Sequence, residues 1–337
     1  MKQDIILLGH GSGGKLGHQL LDEVIAPTLS GISQRDQDDA AVLQQGGQRL
    51  AFTTDSYVVD PIFFAGGNIG DLAINGTVND LAMSGARPLF LSVGLILEEG
   101  LPLDDLRAIL DSMRKAADAA GVRIVTGDTK VVPRGKGDRI FINTSGIGVF
   151  DHPYELSGRN ARVGDQVLIN GAIGDHGMAV LASREGLALE SDIASDTAAL
   201  NGLVAELLHG VGAAVHTLRD PTRGGVATTL KEIALQAGVD MTLQEQTLPV
   251  RAPVRSACAI LGLDPLFVAN EGKLLAVVAA AAAEEALQIM RRHPLGQQAA
   301  VIGDVTGASA GRVVMRTTIG GLRAIDMLAG EQLPRIC

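Results

Sequence analysis

Near its midpoint the sequence loses both helical and strand-like periodicity. Over residues 150–165, FDHPYELSGRNARVGD, turn-forming residues cluster and the apolar repeat lapses. Each flanking stretch is long enough to enclose its own core, and 337 residues, 46% of them hydrophobic, suit about two domains of ordinary size. The break predicts two α/β domains joined near residue 150, preceded by a loose N-terminal segment and followed by a short tail.

Before the break, RLAFTTDSYVV, RPLFLSVGLIL, VRIVTGDTKVV and RIFINTSGIGVF are rich in Val, Ile, Phe and Thr and read as strands. Between them, GNIGDLAINGTVNDLAMSGA and LPLDDLRAILDSMRKAADAAG carry apolar residues three and four apart and read as helices, the second capped at Gly121. After the break strands and helices alternate through QVLING, DHGMAVLASREG and TAALNGLVAELLHG. AVHTLRD precedes the helix GVATTLKEIALQAG, and PVRSACAILG precedes PLFVANEGKLLAVVA and a further helix. The 42 glycines fall between short apolar runs, so they punctuate loops and form no linker.

A net charge of -10 opposes binding to nucleic-acid phosphates. No apolar run approaches the roughly 18 residues needed to cross a bilayer. The longest, KLLAVVAAAAAEEALQIM, carries paired glutamates and reads as a strand running into a soluble helix. MKQDIILLGHGSGGK has too short an apolar stretch and no cleavage site for a signal peptide, so a cytoplasmic protein is expected. Two cysteines make no disulfide framework. Cys258, among small and apolar residues at helical spacing, reads as a buried core thiol. Cys337 stands last, where a side chain contributes little packing and an exposed thiol invites oxidation. A prenylation box would need its cysteine four residues from the end, so this thiol is either stray or chemically employed.

Acidic residues beside small ones read as four acidic turns: Asp38 and Asp39 in DDAAVL, Asp55 in TTDS, Asp80 in VNDLA and Asp128 in GDTK. Carboxylates at the ends of several elements can converge on Mg²⁺, which prefers oxygen ligands and shares its shell with water and substrate phosphates. A single Asp in a turn is ordinarily a turn-former or cap; several in one domain favour a site. GHGSGGK and RDPTRGG expose backbone N–H groups beside a cation, and the second opens into a helix whose N-terminus favours an anion. Neither is a P-loop or a Rossmann fingerprint, and tight turns are the alternative reading. Lys130 follows Asp128 by two residues, so in an extended segment both face the same way. Glu271, in VANEGKLL, interrupts apolar runs; an ion pair with Lys130 inside a cleft would tune both proton affinities.

DDAA, FTTDS, NGTVNDLAMSGARP, VTGDTKVV, RDPTRGG and NEGKLL together resemble the superfamily that includes aminoimidazole ribonucleotide synthetase and selenophosphate synthetase. HGSGGK and the closing PRIC narrow the resemblance to the carbamoyl dehydratases of hydrogenase maturation, and it runs from end to end. The resemblance implies an α/β (α+β) fold of two-domain PurM-like architecture. Its expected parts are an N-terminal segment with a glycine-rich loop (1–38), an ATP-binding and dimerisation domain (39–150), an α/β domain (151–325) and a flexible tail (326–337) carrying Cys337. A homodimer through the first domain's sheet is expected.

The same resemblance implies a lyase that uses ATP and Mg²⁺ to make the cyanide ligands of [NiFe]-hydrogenase. A carbamoyltransferase, HypF, would load a carbamoyl group onto Cys337; dehydration would convert the thiocarboxamide to a thiocyanate; the cyano group would pass to iron held by a HypC–HypD complex. Asp39, Asp55, Asp80, Asp128 and Asp220 would hold Mg²⁺ and the ATP phosphates, with Gly11, Ser12, Gly13 and Gly14 folded over them. Arg223, Gly224 and Gly225 would also bind the nucleotide, and Lys130 and Glu271 would manage deprotonation at the amide nitrogen. Arg335 would favour the Cys337 thiolate, Pro334 would stiffen the tip, and the residues beyond Ile325 would reach about 40 Å when extended. Two other functions stay open: another ATP-dependent enzyme of the superfamily, such as a selenophosphate synthetase, or a non-catalytic adaptor whose tail only docks to a partner.

Overall fold

The protein is seen in a computed structural model that describes residues 5–29, 38–184, 192–330 and 335–337. Its first half contains α1 (Lys15–Leu20), α2 (Ala26–Thr28), β1 (Ala41–Gln45), β2 (Gln48–Tyr57), β3 (Phe63–Phe64), β4 (Gly67–Asn68), α3 (Ile69–Met83), β5 (Arg87–Glu98), α4 (Leu103–Ala120), β6 (Arg123–Val132) and β7 (Ile140–Val149). Five strands form a sheet in the order β1-β2-β7-β5-β6, with β3 and β4 in a separate ladder. Only β5 and β6 run parallel, because α4 crosses over between them. The four strands expected from composition are β2, β5, β6 and β7. β1 escapes such a reading because all five of its residues are exposed and show no alternation.

The helix α3 is set by a reciprocal cap, the Asn68 side chain accepting from Gly70 N–H and Asp71 accepting from Asn68 N–H. It is buried almost all round, whereas α4 is amphipathic and ends, as expected, at Gly121 with φ +71°. Leu72, Ile74, Leu91, Ile109, Ile140 and Ile142 form the first core on one face of the sheet. Burying each such side chain is worth about 1.5–3 kcal/mol. The opposite face carries Phe52, Ile147 and Phe90 in one cross-strand row, at 42%, 42% and 38% exposure.

The second half contains β8 (Gln166–Ile169), α5 (Asp175–Ala182), α6 (Asn201–Val211), β9 (Val215–Arg219), α7 (Gly225–Ala237), β10 (Val239–Gln244), α8 (Ala252–Leu261), β11 (Leu275–Val278), α9 (Ala280–Arg292), β12 (Ala300–Ala308), β13 (Val313–Arg316) and β14 (Leu322–Ile325). Seven strands form the order β14-β13-β10-β12-β8-β11-β9. One core packs α7 against this sheet and a second packs α6 and α9 against it. β11 is therefore buried on both sides, which is why it reads as an unbroken apolar run entering α9. Cys258 lies buried in α8, where burial pushes its thiol up to about 11. The N-terminal segment rests on this half, with Lys15 N–H bonded to the Leu328 carbonyl and His18 to Glu232 at 2.7 Å. Among the described residues no helix is long and apolar enough to cross a membrane.

Candidate active site

A cleft of ≈ 390 Å³ lies where the two sheets meet the N-terminal loop. Alternation along β2 turns Thr53, Asp55 and Tyr57 toward α3. From α3 come Gly76 and Asp80, from the turn between β9 and α7 come Asp220 and Arg223, and Glu271 enters from the loop before β11. A Cβ at Gly76 would collide with the Tyr57 hydroxyl, so this close approach of α3 to β2 demands glycine. Asp39 closes the inner end. Not all of these acids are the turn residues their neighbours suggested. Of the four acidic turns expected from the sequence, Asp55 and Asp128 sit inside strands and Asp80 inside α3, while Asp38 and Asp39 do lie in irregular chain, as Asp220 does. Asp80 is tolerated in a buried helix because it faces the cleft and accepts a hydrogen bond from Thr53 Oγ1 at 2.9 Å.

The cleft carries more negative charge than its own cations neutralise. Asp39 Oδ1 pairs with Arg219 Nε at 2.7 Å, and Arg219 Nη2 pairs with Glu232 at 2.9 Å. Asp39 Oδ2 is buried with no hydrogen-bond partner among the described residues. Burial raises the Asp39 carboxyl to about 6 despite Arg219. Burial, and then the crowding of other carboxylates, push Asp80 and Asp220 well above the usual range. Among the described residues no three His, Cys, Asp or Glu side chains are arranged to hold a metal ion by themselves. Such a deficit fits a cation that arrives with most of its ligands, as Mg²⁺ does with ATP phosphates and water.

The two glycine-rich stretches meet over this cleft. Gly13, at φ +70°, approaches so closely that a Cβ would lie 2.7 Å from Arg223 Cβ, and Arg223 Nη1 donates to the Gly11 carbonyl at 2.9 Å. Ser12 Oγ instead bonds within its own loop, to the Gly9 carbonyl at 2.8 Å, and Gly14 abuts the Leu328 carbonyl. Gly224 and Gly225, both at positive φ, head α7 and leave its first N–H groups free of side-chain cover beside Arg223.

Cys337 sits at the mouth, 9% exposed, against the first core. The chain end lies along Val58–Asp60: Val58 N–H donates to a main-chain oxygen of Cys337 at 3.0 Å, Asp60 N–H to the Arg335 carbonyl at 3.2 Å, and Arg335 Nε to the Val58 carbonyl at 3.0 Å. Burial pushes the Cys337 thiol up to about 12, with Arg223 pulling in the other direction. The cation that acts on this thiol is Arg223. Arg335, expected in that role, turns outward to Asp138 at 2.9 Å. Pro334 lies outside the described residues.

Glu271 is 3% exposed; burial, then Asp220 and Asp196, raise its pKa well above the usual range. Asn79 holds its loop by donating to the Glu271 carbonyl at 3.0 Å, and Asp196 accepts from Glu271 N–H at 3.3 Å. The expected Lys130–Glu271 pair does not form within the chain. Lys130 and Asp128 do share a face, paired at 2.6 Å, but it is the face of β6 turned away from α3, with 69% and 70% side-chain exposure. The strand register explains this: Asp128 lies in the row of Gly94, Asn143 and Ser56, opposite in sense to Asp55. His176, missed in the sequence, stands 3.9 Å from Glu271 in a fully buried position. Its signal was a histidine followed by glycine just inside a helix start, in DHGMA, where a lone imidazole reads as core.

The chain is similar to known proteins over its whole length. Residues 37–150 match the AIR synthase related protein N-terminal domain family and residues 162–316 the corresponding C-terminal domain family. The chain is 53% identical to the carbamoyl dehydratase HypE of Azotobacter vinelandii over 328 residues, covering 97% of this chain and 96% of that one. It superposes on the HypE of a crystallised HypE–HypF complex with TM-score 0.87 and 50% identity, over 92% of this chain and 99% of that one. It also superposes on a HypE crystallised with ATP, with TM-score 0.83 and 50% identity, over 99% and 100% of the two chains.

Proposed function

The chain belongs to the HypE family of carbamoyl dehydratases, and from that premise we propose that it dehydrates a carbamoyl group carried on Cys337 to make the cyanide ligands of [NiFe]-hydrogenase. One observation carries the reading: the Cys337 thiol is seated at the mouth of the carboxylate cleft, beside Arg223 and Glu271. A carbamoyltransferase, HypF, replaces the thiol proton with a carbamoyl group; a HypE relative crystallised with HypF supports this partner. Dehydration then turns S–C(=O)NH₂ into S–C≡N, a net loss of the elements of one water in which the oxygen leaves in phosphate and the two nitrogen-bound hydrogens leave as protons. ATP, with Mg²⁺, supplies the phosphoryl group that lets the amide oxygen leave as phosphate.

The chain's own residues do the rest. Asp39, Asp55, Asp80 and Asp220 hold Mg²⁺, while Arg223 and the start of α7 face the phosphates. Gly11 and Gly13 bring the N-terminal loop over them. Glu271, its proton affinity raised by burial, takes a proton from the amide nitrogen. A HypC–HypD complex takes the cyano group onto its iron. A second copy covers the Phe52, Phe90 and Ile147 face, making a homodimer; Asp128 and Lys130, on that face, contribute to a cleft only through that second copy.

The test is the mass of the peptide ending in Cys337 after incubation with HypF, a carbamoyl donor and ATP. Wild type and Cys258→Ala should gain a carbamoyl group and then lose one water, and Cys337→Ala should gain nothing. Loading of C337A but not C258A would reverse the assignment, and loading without ATP-dependent loss of water would favour the adaptor.

A further inference from the structure

The side chains that hold the tail are not equivalent. Arg335 and Arg184 grip it from its partly exposed flank, Arg184 Nη2 donating to the Arg335 carbonyl at 3.1 Å. His176 alone among the described side chains bonds the peptide unit that carries Cys337: its Nε2 lies 2.7 Å from the Ile336 carbonyl, and the ring is 0% exposed. A carbonyl can only accept, so Nε2 carries a proton. The other nitrogen, Nδ1, is 2.8 Å from Ser195 Oγ, which itself accepts from Thr197 N–H at 3.2 Å. With one lone pair of Ser195 so engaged, its hydroxyl proton is free to donate to Nδ1, which selects the neutral Nε2–H tautomer. Phe64 meets the ring edge-on at 5.5 Å and fixes its plane.

We propose that His176 is a positioning residue, the buried donor that clamps the Ile336 peptide and so places the group carried on Cys337 against Glu271 and Arg223. This rests on the carrier reading above. The clamp acts on the docked tail only; loading by a partner enzyme uses the undocked tail. Losing a buried hydrogen bond of this kind shifts the docked-to-undocked ratio on the order of 10-fold.

The test compares wild type, His176→Phe and His176→Gln in the full chain, reading alkylation of Cys337 by iodoacetamide in the mass of its peptide, with Cys258 as internal reference. In H176F, Cys337 should label about 10-fold faster with Cys258 unchanged. H176Q, whose amide can still donate to the Ile336 carbonyl, should return most of the way to wild type. In the HypF-coupled reaction H176F should load at least as fast as wild type yet dehydrate about 10-fold more slowly in a single turnover. Unchanged labelling of Cys337 in H176F overturns the proposal, as does equal acceleration at Cys258, which means general loosening. If H176F does not fold, Ser195→Ala, which frees the ring to take the other tautomer, must raise Cys337 labelling severalfold or the proposal is overturned. Labelling that behaves as expected in a chain whose Cys337 never accepts a carbamoyl group leaves the clamp standing and removes the carrier reading instead.

Discussion

Lys130 donates to Asp128 at 2.6 Å on one face of the first sheet, while Glu271 is buried in the cleft behind the other. The two residues assigned to one proton transfer therefore cannot meet inside a single chain. Mixing Lys130→Ala with Glu271→Gln, each inactive alone, should restore part of the dehydration once the copies exchange. Product measured over time in the mixture checks this; no recovery after subunit exchange would remove Lys130 from the chemistry.

Asp80 is held as a buried carboxylate crowded by Asp220, Asp55 and Asp39. Asp80→Asn removes a repelled charge but keeps an acceptor for Thr53, so its melting temperature should match or exceed that of wild type without nucleotide. ATP turnover should nevertheless fall by about 10²–10³-fold, since phosphate charge loses a neutralising partner. A melting scan and an ADP-release assay on one sample decide it. Turnover near wild type would place Asp80 outside the nucleotide site.

Glu271→Gln preserves shape and removes the proton acceptor. The variant should bind ATP and accept a carbamoyl group on Cys337, then accumulate the thiocarboxamide with conversion slowed about 10²–10⁴-fold. Mass spectrometry of the tail peptide separates the two adducts by one water. Normal conversion would leave Glu271 a structural acid only.

Docking also makes the tail pH-sensitive in a defined direction. Burial raises the Cys337 thiol from 9.0 to about 12, so docking is fully favoured below about pH 9 and weakens as pH climbs toward 12. The alkylation rate of Cys337 should thus keep rising beyond pH 9, where a free peptide of the same tail levels off. A plateau shared with the peptide would contradict the docked geometry.

Much of this architecture was legible because burial imposes periodicity. β2 and β7 alternate, β5 is largely apolar, α4 shows a clean stripe, and Gly121 ends it as a left-handed cap should, whereas β6, exposed along nearly its whole length, was legible from its Val, Ile and Thr content alone. The strands that stayed hidden, β1 and β10 with β12 to β14, are short, exposed or bulged, and their pairing is decided by partners distant in sequence. The cleft acids could be picked out singly, since an acid beside small residues is conspicuous in any element. Which face each one occupies follows from strand register, and a linear reading of GDTK contains no register. His176 stayed hidden for a related reason: its partners, Ser195 and Ile336, are 19 and 160 residues away in the chain.

Ile336 and Cys337 are counted among the same core side chains as Val59, Ile62 and Phe64. If the tail leaves to collect a cargo, it would expose an apolar seam, and the cohesion that folds the domain would pull it home. A donor enzyme loading this thiol would then compete with the interior of the molecule it serves. Such a return would need no nucleotide: it would be a small act of refolding, repeated at every turnover.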